Sequence, residues 1–227
     1  MIDIIKNNKS KIIIASILII LGVVGRLTLS ELLPSTPAFY LTIGGVTQPM
    51  FMMDVFFLVA IVALLSGLLL GSYYAFIVPI SVILITDIII GNNYIFLFTW
   101  SGFAMIGLIG YILKAKNKFT IKKMPTIFGA GICSVLLYDL WTNFGCWLGW
   151  YPHTIGGLSA CYTVALPFTL WHILSTTIAI ALIVLPIAYL KEHKIIELDY
   201  TIKPMEKPIS AVLLVAIMFM SVTLLLF

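Results

Sequence analysis

Seven long runs of apolar residues follow one another along the 227-residue chain, separated by short polar stretches. A run of about 18 or more apolar residues is long enough to cross the hydrocarbon core of a bilayer as a helix. The pattern therefore predicts an all-α integral membrane protein. The predicted spans are residues 12–33, 52–71, 73–91, 94–113, 124–145, 163–190 and 209–227.

The composition agrees with this pattern, because 62% of the residues are hydrophobic and 10% are charged. Soluble domains are about half apolar and a quarter charged. The first apolar run has no small-residue cleavage site, so we expect no cleavable signal peptide. We divide the chain into a six-span membrane domain (residues 1–190), a charged cytoplasmic loop (191–208) and an additional C-terminal transmembrane helix (209–227).

The basic residues orient the predicted spans. Lysines cluster before the first span, between the fourth and fifth, and between the sixth and seventh. With the amino terminus inside, twelve of the thirteen basic residues are cytoplasmic, and Arg26 is the exception. The positive-inside rule therefore predicts a multi-pass cell-membrane protein with a cytoplasmic N-terminus and an outer C-terminus.

Glycine and proline mark the connections between spans. The pattern Gly67-Leu-Leu-Leu-Gly71, where the second span meets the third, permits close helix packing, which we favour over a functional role. Two outer connections, residues 34–49 and 145–162, are long enough to fold over the mouth of a pocket.

A layer of polar residues lies at one depth in the predicted spans. Counted at about 1.5 Å per residue from the inner ends, five groups fall about 22–28 Å up, in the outer third of a hydrocarbon core about 30 Å thick. One arginine cannot neutralise three buried carboxylates, which favours a water-accessible pocket over ion pairs that only hold helices together. The five groups are Arg26, Asp54, Asp87, Asp139 and His172.

All five tryptophans also fall in the outer half. Trp147 and Trp150 fit an interfacial aromatic belt. The other three lie at the depth of the charges and are candidate stacking walls for a flat or cationic ligand. They are Trp100, Trp141 and Trp171.

The balance of charges in this outer layer predicts the character of a ligand. Acidic groups outnumber basic ones there, which favours a cationic or amine-bearing solute, such as a vitamin-like heteroaromatic molecule or an organic amine. Protonation of a buried carboxyl would instead suit a neutral, hydrogen-bonding solute. The groups counted are Glu31, Asp54, Asp87 and Asp139 against Arg26, with His172 undecided.

The sequence gives little support for a disulfide, a metal site or a catalytic motif. Cys146 and Cys161 share the outer face, so a disulfide is topologically possible, although free packing cysteines are favoured. Their spacing to His153 and His172 fits no recognised metal-ligand pattern. No phosphate-binding glycine loop or nucleophile elbow is present. We therefore expect no metal, cofactor, nucleic-acid partner or enzymatic activity, and an intramembrane acid–base enzyme is the least favoured interpretation.

Several short motifs together resemble a known group. They are Arg26-Leu27, Pro34-Ser-Thr-Pro-Ala-Phe39, Thr86-Asp87, Thr142-Asn143-Phe-Gly-Cys-Trp147, Tyr151-Pro152, Gly156-Gly157-Leu158, Cys161-Tyr162 and Leu166-Pro167-Phe168. Over about residues 20–190 the chain is similar to an uncharacterised family of small prokaryotic membrane proteins that is often grouped with the S components of energy-coupling-factor (ECF) vitamin transporters.

This resemblance implies a six-helix, substrate-capturing bundle whose pocket lies near the outer face, with the first outer loop as a lid. It also implies a role in the site for the matched positions Arg26, Asp87, Asn143, Trp147 and Tyr151. The chain departs from S components in its seventh span. It also lacks the Ala-xxx-Ala docking pattern of their first helix, because Ala15 is followed four residues later by Ile19.

We therefore expect a membrane transport protein that captures a small solute. Its expected partners are the lipid bilayer, the solute and either a membrane coupling subunit with ATPases or another membrane complex. The alternative is a structural or accessory subunit of a membrane complex. The candidate substrate-binding residues are Arg26, Asp54, Asp87, Trp100, Asp139, Trp141, Asn143, Tyr151, Trp171 and His172.

Overall fold

Helices form most of the computed structural model, which describes residues 2–32, 36–43, 45–50, 58–116, 119–193 and 206–226. The helices are α1 (Ile2–Leu32), α2 (Leu58–Leu65), α3 (Ser72–Ile90), α4 (Phe96–Ala115), α5 (Met124–Trp150), α6 (Ile155–Ala179), α7 (Leu185–Glu192) and α8 (Glu206–Leu226). The π-helical segment Ser66–Leu70 continues α2, and the segment Ile180–Val184 joins α6 to α7 without a break.

Five of the helical segments are long and apolar enough to cross a membrane. They are Ser10–Thr28, Tyr73–Ile90, Phe96–Ala115, Ile121–Trp150 and Ile155–Glu192. Two shorter apolar helices, Leu58–Leu70 and Val212–Leu224, accompany them in the described part of the chain. The prediction of an all-α, membrane-embedded protein is confirmed, and the count of seven crossings stays a prediction.

Helices α2, α3 and α4 approach one another at their backbones. A Cβ atom on Gly107 would lie 2.0 Å from the carbonyl oxygen of Ala75, and one on Gly67 would lie 2.1 Å from the carbonyl oxygen of Gly107. A Cβ on Gly110 would meet the Leu64 carbonyl oxygen at 2.3 Å. Glycine is therefore required where α4 crosses α2 and α3, in agreement with the packing interpretation of Gly67.

The predicted long connection at residues 145–162 is wrong. Helix α5 continues to Trp150 and α6 begins at Ile155. The turn is short because its polar groups are satisfied locally: Thr154 Oγ1 accepts a hydrogen bond from the Gly157 amide at 3.1 Å, and Trp147 Nε1 donates to the Pro152 carbonyl at 3.0 Å. The glycines that suggested a loop lie in the first turn of α6, where Gly157 packs against the Pro152 carbonyl.

The other connection that was predicted to be outer, residues 34–49, contains a β-hairpin that the sequence pattern did not predict. Strand β1 (Phe39–Ile43) pairs antiparallel with β2 (Val46–Met50), and Ile43 stands opposite Val46. Two glycines separate the strands, and Gly45 has a φ of 82°, as tight hairpin turns require. Both strands pack against α6.

The bundle has two distinct ends. We call the end at which α1 finishes and the hairpin follows the hairpin end. The opposite end is the lysine end, because Lys114, Lys122 and Lys191 lie where α4 finishes, α5 begins and α7 finishes. Two contacts fasten the lysine end: the Lys114 ammonium donates to the Leu69 carbonyl, and Glu192 Oε2 accepts from the Ile121 amide at 2.9 Å.

Helix α8 packs against α3, α4 and α5. Leu214 and Ser221 are buried in that contact region, with exposed fractions of 8% and 1%. The predicted seventh span therefore coincides with a helix that is part of the packed bundle.

Candidate functional site

A partly buried ion pair joins α1 to α3 near the hairpin end. Arg26 Nη1 donates to Asp87 Oδ1 at 2.7 Å and also to the hydroxyl of Thr86. Trp100 Nε1 and Asn92 Nδ2 each donate to Asp87 Oδ2 at 2.8 Å. Both carboxylate oxygens of Asp87 are thus bonded. We call these five residues the Asp87 cluster.

The local backbone explains how Asp87 collects these donors. Helix α3 ends at Gly91, whose φ of 93° turns the chain so that Asn92 reaches back to the carboxylate. Thr86 is fully buried and donates its own hydroxyl hydrogen to the Val82 carbonyl at 2.9 Å, which leaves its oxygen to accept from Arg26. The Asp87 cluster therefore fastens α1, α3 and α4 together.

A second pair joins α5 to α6. His172 Nδ1 lies 2.9 Å from Asp139 Oδ1, with 5% of Asp139 exposed. The second carboxylate oxygen, Asp139 Oδ2, is buried and has no hydrogen-bond partner in the described part of the protein. An acceptor left in this state costs about 1–3 kcal/mol unless water or a ligand bonds to it.

Asp139 is one of the residues that line a cavity of about 360 Å³ between α4, α5 and α6. The walls combine aromatic and aliphatic surfaces with a few polar groups. The lining residues are Ile95, Thr99, Tyr138, Asp139, Thr142, Asn143, Cys146, Trp150, Tyr151, Cys161, Val164, Ala165, Phe168 and His172.

With this geometry established, the chain can be compared with known proteins. Residues 6–198 match a single protein family. The chain belongs to the DUF6580 family, a family of unknown function. No curated protein and no solved structure matches the chain significantly. The part matched to DUF6580 contains both the Asp87 cluster and the cavity, and α8 lies beyond it.

The predicted layer of site residues divides into two groups in this DUF6580 chain. Asp139, Asn143, Tyr151 and His172 line the cavity. Arg26, Asp87 and Trp100 instead form the Asp87 cluster, outside the cavity lining. Asp54 and residues 194–205 of the predicted cytoplasmic loop lie outside the described residues, and the side chain of Glu31 is likewise not described.

The other two candidate tryptophans also lie away from the lining of this cavity. Trp141 Nε1 donates to Ser101 Oγ at 2.7 Å, and its ring packs on Phe98 with 4.7 Å between centroids. Trp171 meets Phe39 of the hairpin edge-on at 5.1 Å. A role for these rings in ligand stacking stays a prediction, because the aromatic surfaces of the cavity come from other residues. Those residues are Tyr138, Trp150, Tyr151 and Phe168.

The sequence contained a signal for the cavity that depth counting missed. On α5 the lining residues Asp139, Asn143, Cys146 and Trp150 recur every three or four positions, which places them on one helix face. Lining residues of α6 recur with the same period from Cys161 to His172. Two such faces on consecutive spans predict a shared groove.

The cavity also contains two of the three cysteines. All three are free thiols, and Cys161 Sγ donates to the Asn143 carbonyl at 3.4 Å. Among the described residues, no group of three or more His, Cys, Asp or Glu side chains is arranged to hold a metal ion. Burial raises the pKa of the Tyr151 phenol, another lining residue, above its ordinary value.

Proposed function

We propose that this protein captures a small solute in the cavity between α4, α5 and α6. The observation that carries the proposal is a cavity whose lining residue Asp139 has one buried carboxylate oxygen without a hydrogen-bond partner in the described part of the protein. Charged groups inside membrane helices are costly and are commonly retained for function. A solute that donates a hydrogen bond to Asp139 would remove this cost.

The size and lining of the cavity support the same proposal. Small-molecule sites enclose about 300–1,000 Å³ and combine apolar walls with a few placed polar groups. This cavity encloses about 360 Å³, and its apolar walls surround the Asp139–His172 pair.

The Asp87 cluster has a different role in the proposal. Its carboxylate is bonded by three donor side chains, so it offers no unsatisfied oxygen to a solute. The Asp87 cluster holds α1, α3 and α4 together. The groove between α5 and α6 is the part that binds the solute. The stabilising and binding functions of the polar layer are thus separated.

We further propose an S-component-like arrangement with seven spans, a cytoplasmic N-terminus and a cavity that opens toward the outer face. The hairpin Phe39–Met50 occupies the position in the chain that the resemblance assigns to a lid, and it packs on α6. A membrane coupling subunit with ATPases, or another membrane complex, would then complete the uptake system.

The test begins with the purified protein. Native mass spectrometry should recover a bound small molecule, and a chemically mixed metabolite panel should contain members that raise the thermal midpoint. Ala165→Leu fills the cavity from α6 and should abolish both results, because Ala165 is a buried lining residue. Ala160→Leu, the same change on an exposed position of α6, is the matched control.

Three outcomes separate the alternatives. A solute that is recovered unchanged after incubation supports capture over acid–base chemistry at Asp139 and His172. Stabilisation that Ala165→Leu leaves intact would place the binding elsewhere and contradict the proposal. A co-purifying membrane protein, with no bound small molecule, would favour the accessory-subunit alternative.

A further inference from the structure

The threonine hydroxyls on the cavity wall are available as acceptors only. Thr142 Oγ1 donates its hydrogen to the Tyr138 carbonyl at 3.0 Å, and Thr99 Oγ1 donates to the Phe96 carbonyl at 2.8 Å. A hydroxyl has one hydrogen to donate and two lone pairs to accept with. Both residues line the cavity, and each hydroxyl oxygen is left with acceptor capacity only.

Asp139, Asn143 and Cys161 add to this excess of acceptors over donors. Asp139 Oδ2 accepts only, and Asn143 uses one of its two N–H groups on the Asp139 carbonyl at 2.7 Å, which leaves its Oδ1 and one N–H. Cys161 has already given its thiol hydrogen to the Asn143 carbonyl. No lysine or arginine is among the described lining residues, and His172, which pairs with Asp139, is the lining residue that can carry a positive charge.

An anionic ligand would bring more acceptors to a wall that is already rich in them. Its charge would also face Asp139 across a low-dielectric interior, where repulsion is strong. An ammonium group offers the opposite, with three donors and no acceptor. Donor-only chemistry therefore matches the acceptors of Asp139, Thr99 and Thr142.

We infer that the solute presents a primary ammonium, or a similarly donor-rich cation such as a guanidinium, to Asp139 Oδ2. This inference rests on the proposed function, which makes the cavity a solute site. The rest of the ligand is an apolar ring or chain, because Val164, Ala165 and Phe168 of α6 also line the cavity. Asp139 and Trp150, which both line it, are eleven positions apart on α5, a rise of about 16 Å that limits the length of this body.

Four probes that share a phenylalkyl body test the inference. They are 2-phenylethylamine, its N,N,N-trimethyl derivative, 2-phenylethanol and 3-phenylpropionate, each titrated against the purified protein by calorimetry and thermal shift. The primary amine should bind at least about tenfold more tightly than the other probes, because the quaternary ammonium has no hydrogen to donate to Asp139 and the alcohol replaces a charged donor with a neutral one. The carboxylate should not bind.

Asp139→Asn should remove the preference for the primary amine. Glu192→Gln, which changes the same functional group at the lysine end, should leave the preference intact. If Asp139→Asn does not fold, the order of the four probes on the unmodified protein still decides the question.

Any other order overturns the inference. Equal binding of the alcohol would mean that Asp139 acts as a neutral carboxyl, and equal binding of the quaternary ion would mean that aromatic faces, not hydrogen bonds, hold the cation. If no probe binds, the inference also fails. The proposed function has its own test, since the metabolite panel and the Ala165→Leu comparison do not depend on the ligand being an amine.

Discussion

Asp87 and Asp139 are the same residue type at similar predicted depths, yet their carboxylates are satisfied differently. Asp87 receives Arg26 on one oxygen and two neutral donors on the other. Asp139 receives His172 on one oxygen and nothing from the described protein on the other. A count of charges treats the two residues alike. The hydrogen bonds assign Asp87 to the fold and Asp139 to the cavity.

Arg26→Ala is expected to destabilise the folded protein by about 3–5 kcal/mol, because it leaves the buried Asp87 carboxylate without its cation. The thermal midpoint and the folded yield in detergent measure the loss. Adding Asp87→Asn to Arg26→Ala should restore part of it, since the uncompensated charge is then gone. Adding Asp139→Asn should restore nothing. A silent Arg26→Ala would show that the ion pair contributes no stability.

Depth along each span could be predicted from the sequence, but the pairing of residues could not. Counting residues placed Arg26 and Asp87 at one level, and the structure brings them into contact. Which groups meet depends on the rotation of each helix, which advances about 100° per residue. The spans of α1 and α3 are apolar on nearly every face and carry no amphipathic stripe from which to read that rotation. The division between Asp87 and Asp139 therefore required the structure.

At the scale of the elements, the contacts between α4 and its neighbours depend on glycines, which have no side chain. Gly107→Ala should destabilise the protein by about 1–3 kcal/mol, because the new methyl group would meet the backbone of α3, which cannot rotate away. Gly129→Ala is the control. No atom lies within 4 Å of the methyl group it would add on α5.

The control should be neutral or stabilising by up to about 1 kcal/mol, because alanine is the better helix former. Thermal unfolding in detergent compares the two variants. Equal effects would contradict the close backbone packing of α3 and α4. They would indicate instead that glycine is tolerated at position 107 without being required there.

The ends of the helices are the part of the fold that the sequence pattern predicted least well. The length of the apolar runs predicted the central parts of α5 and α6 well. It also predicted a long connection at residues 145–162, but α5 continues to Trp150 and α6 begins at Ile155. Hydrophobicity reports only the part of a helix that lies in hydrocarbon. A capping residue such as Thr154 decides where a helix begins. It is recognised as a cap only once the position of the turn between the two helices is known.

The β-hairpin makes one aromatic contact with α6 that can be tested. Phe39→Ala removes the edge-on contact with Trp171, which is worth about 0.5–1.5 kcal/mol beyond the buried area. We expect faster hydrogen exchange of the β1 and β2 amides. Tyr40→Ala, on the neighbouring residue whose side chain is 65% exposed, should change the exchange little. Equal acceleration in both variants would mean that the hairpin is not held through Phe39.

At the scale of the whole molecule, charge and polarity are separated between the two ends of the bundle. Lys116, Lys122 and Lys123 between α4 and α5, and Lys191 at the end of α7, lie at the lysine end. The Asp87 cluster and the cavity lie toward the hairpin end, where α3 finishes and α4 begins. A basic end that stays in the cytoplasm leaves the cavity facing outward. The orientation thus decides from which side a solute enters.

Labelling of introduced cysteines with a membrane-impermeant maleimide tests this orientation in intact cells. The three native cysteines are first replaced, since Cys133 is exposed and two others line the cavity. Thr36→Cys and Tyr94→Cys, at exposed positions of the hairpin end, should react at once. Lys122→Cys and His193→Cys, exposed at the lysine end, should react only after permeabilisation. The reverse pattern would place the cavity on the cytoplasmic side, and the protein would then have to bind its solute from the cytoplasm.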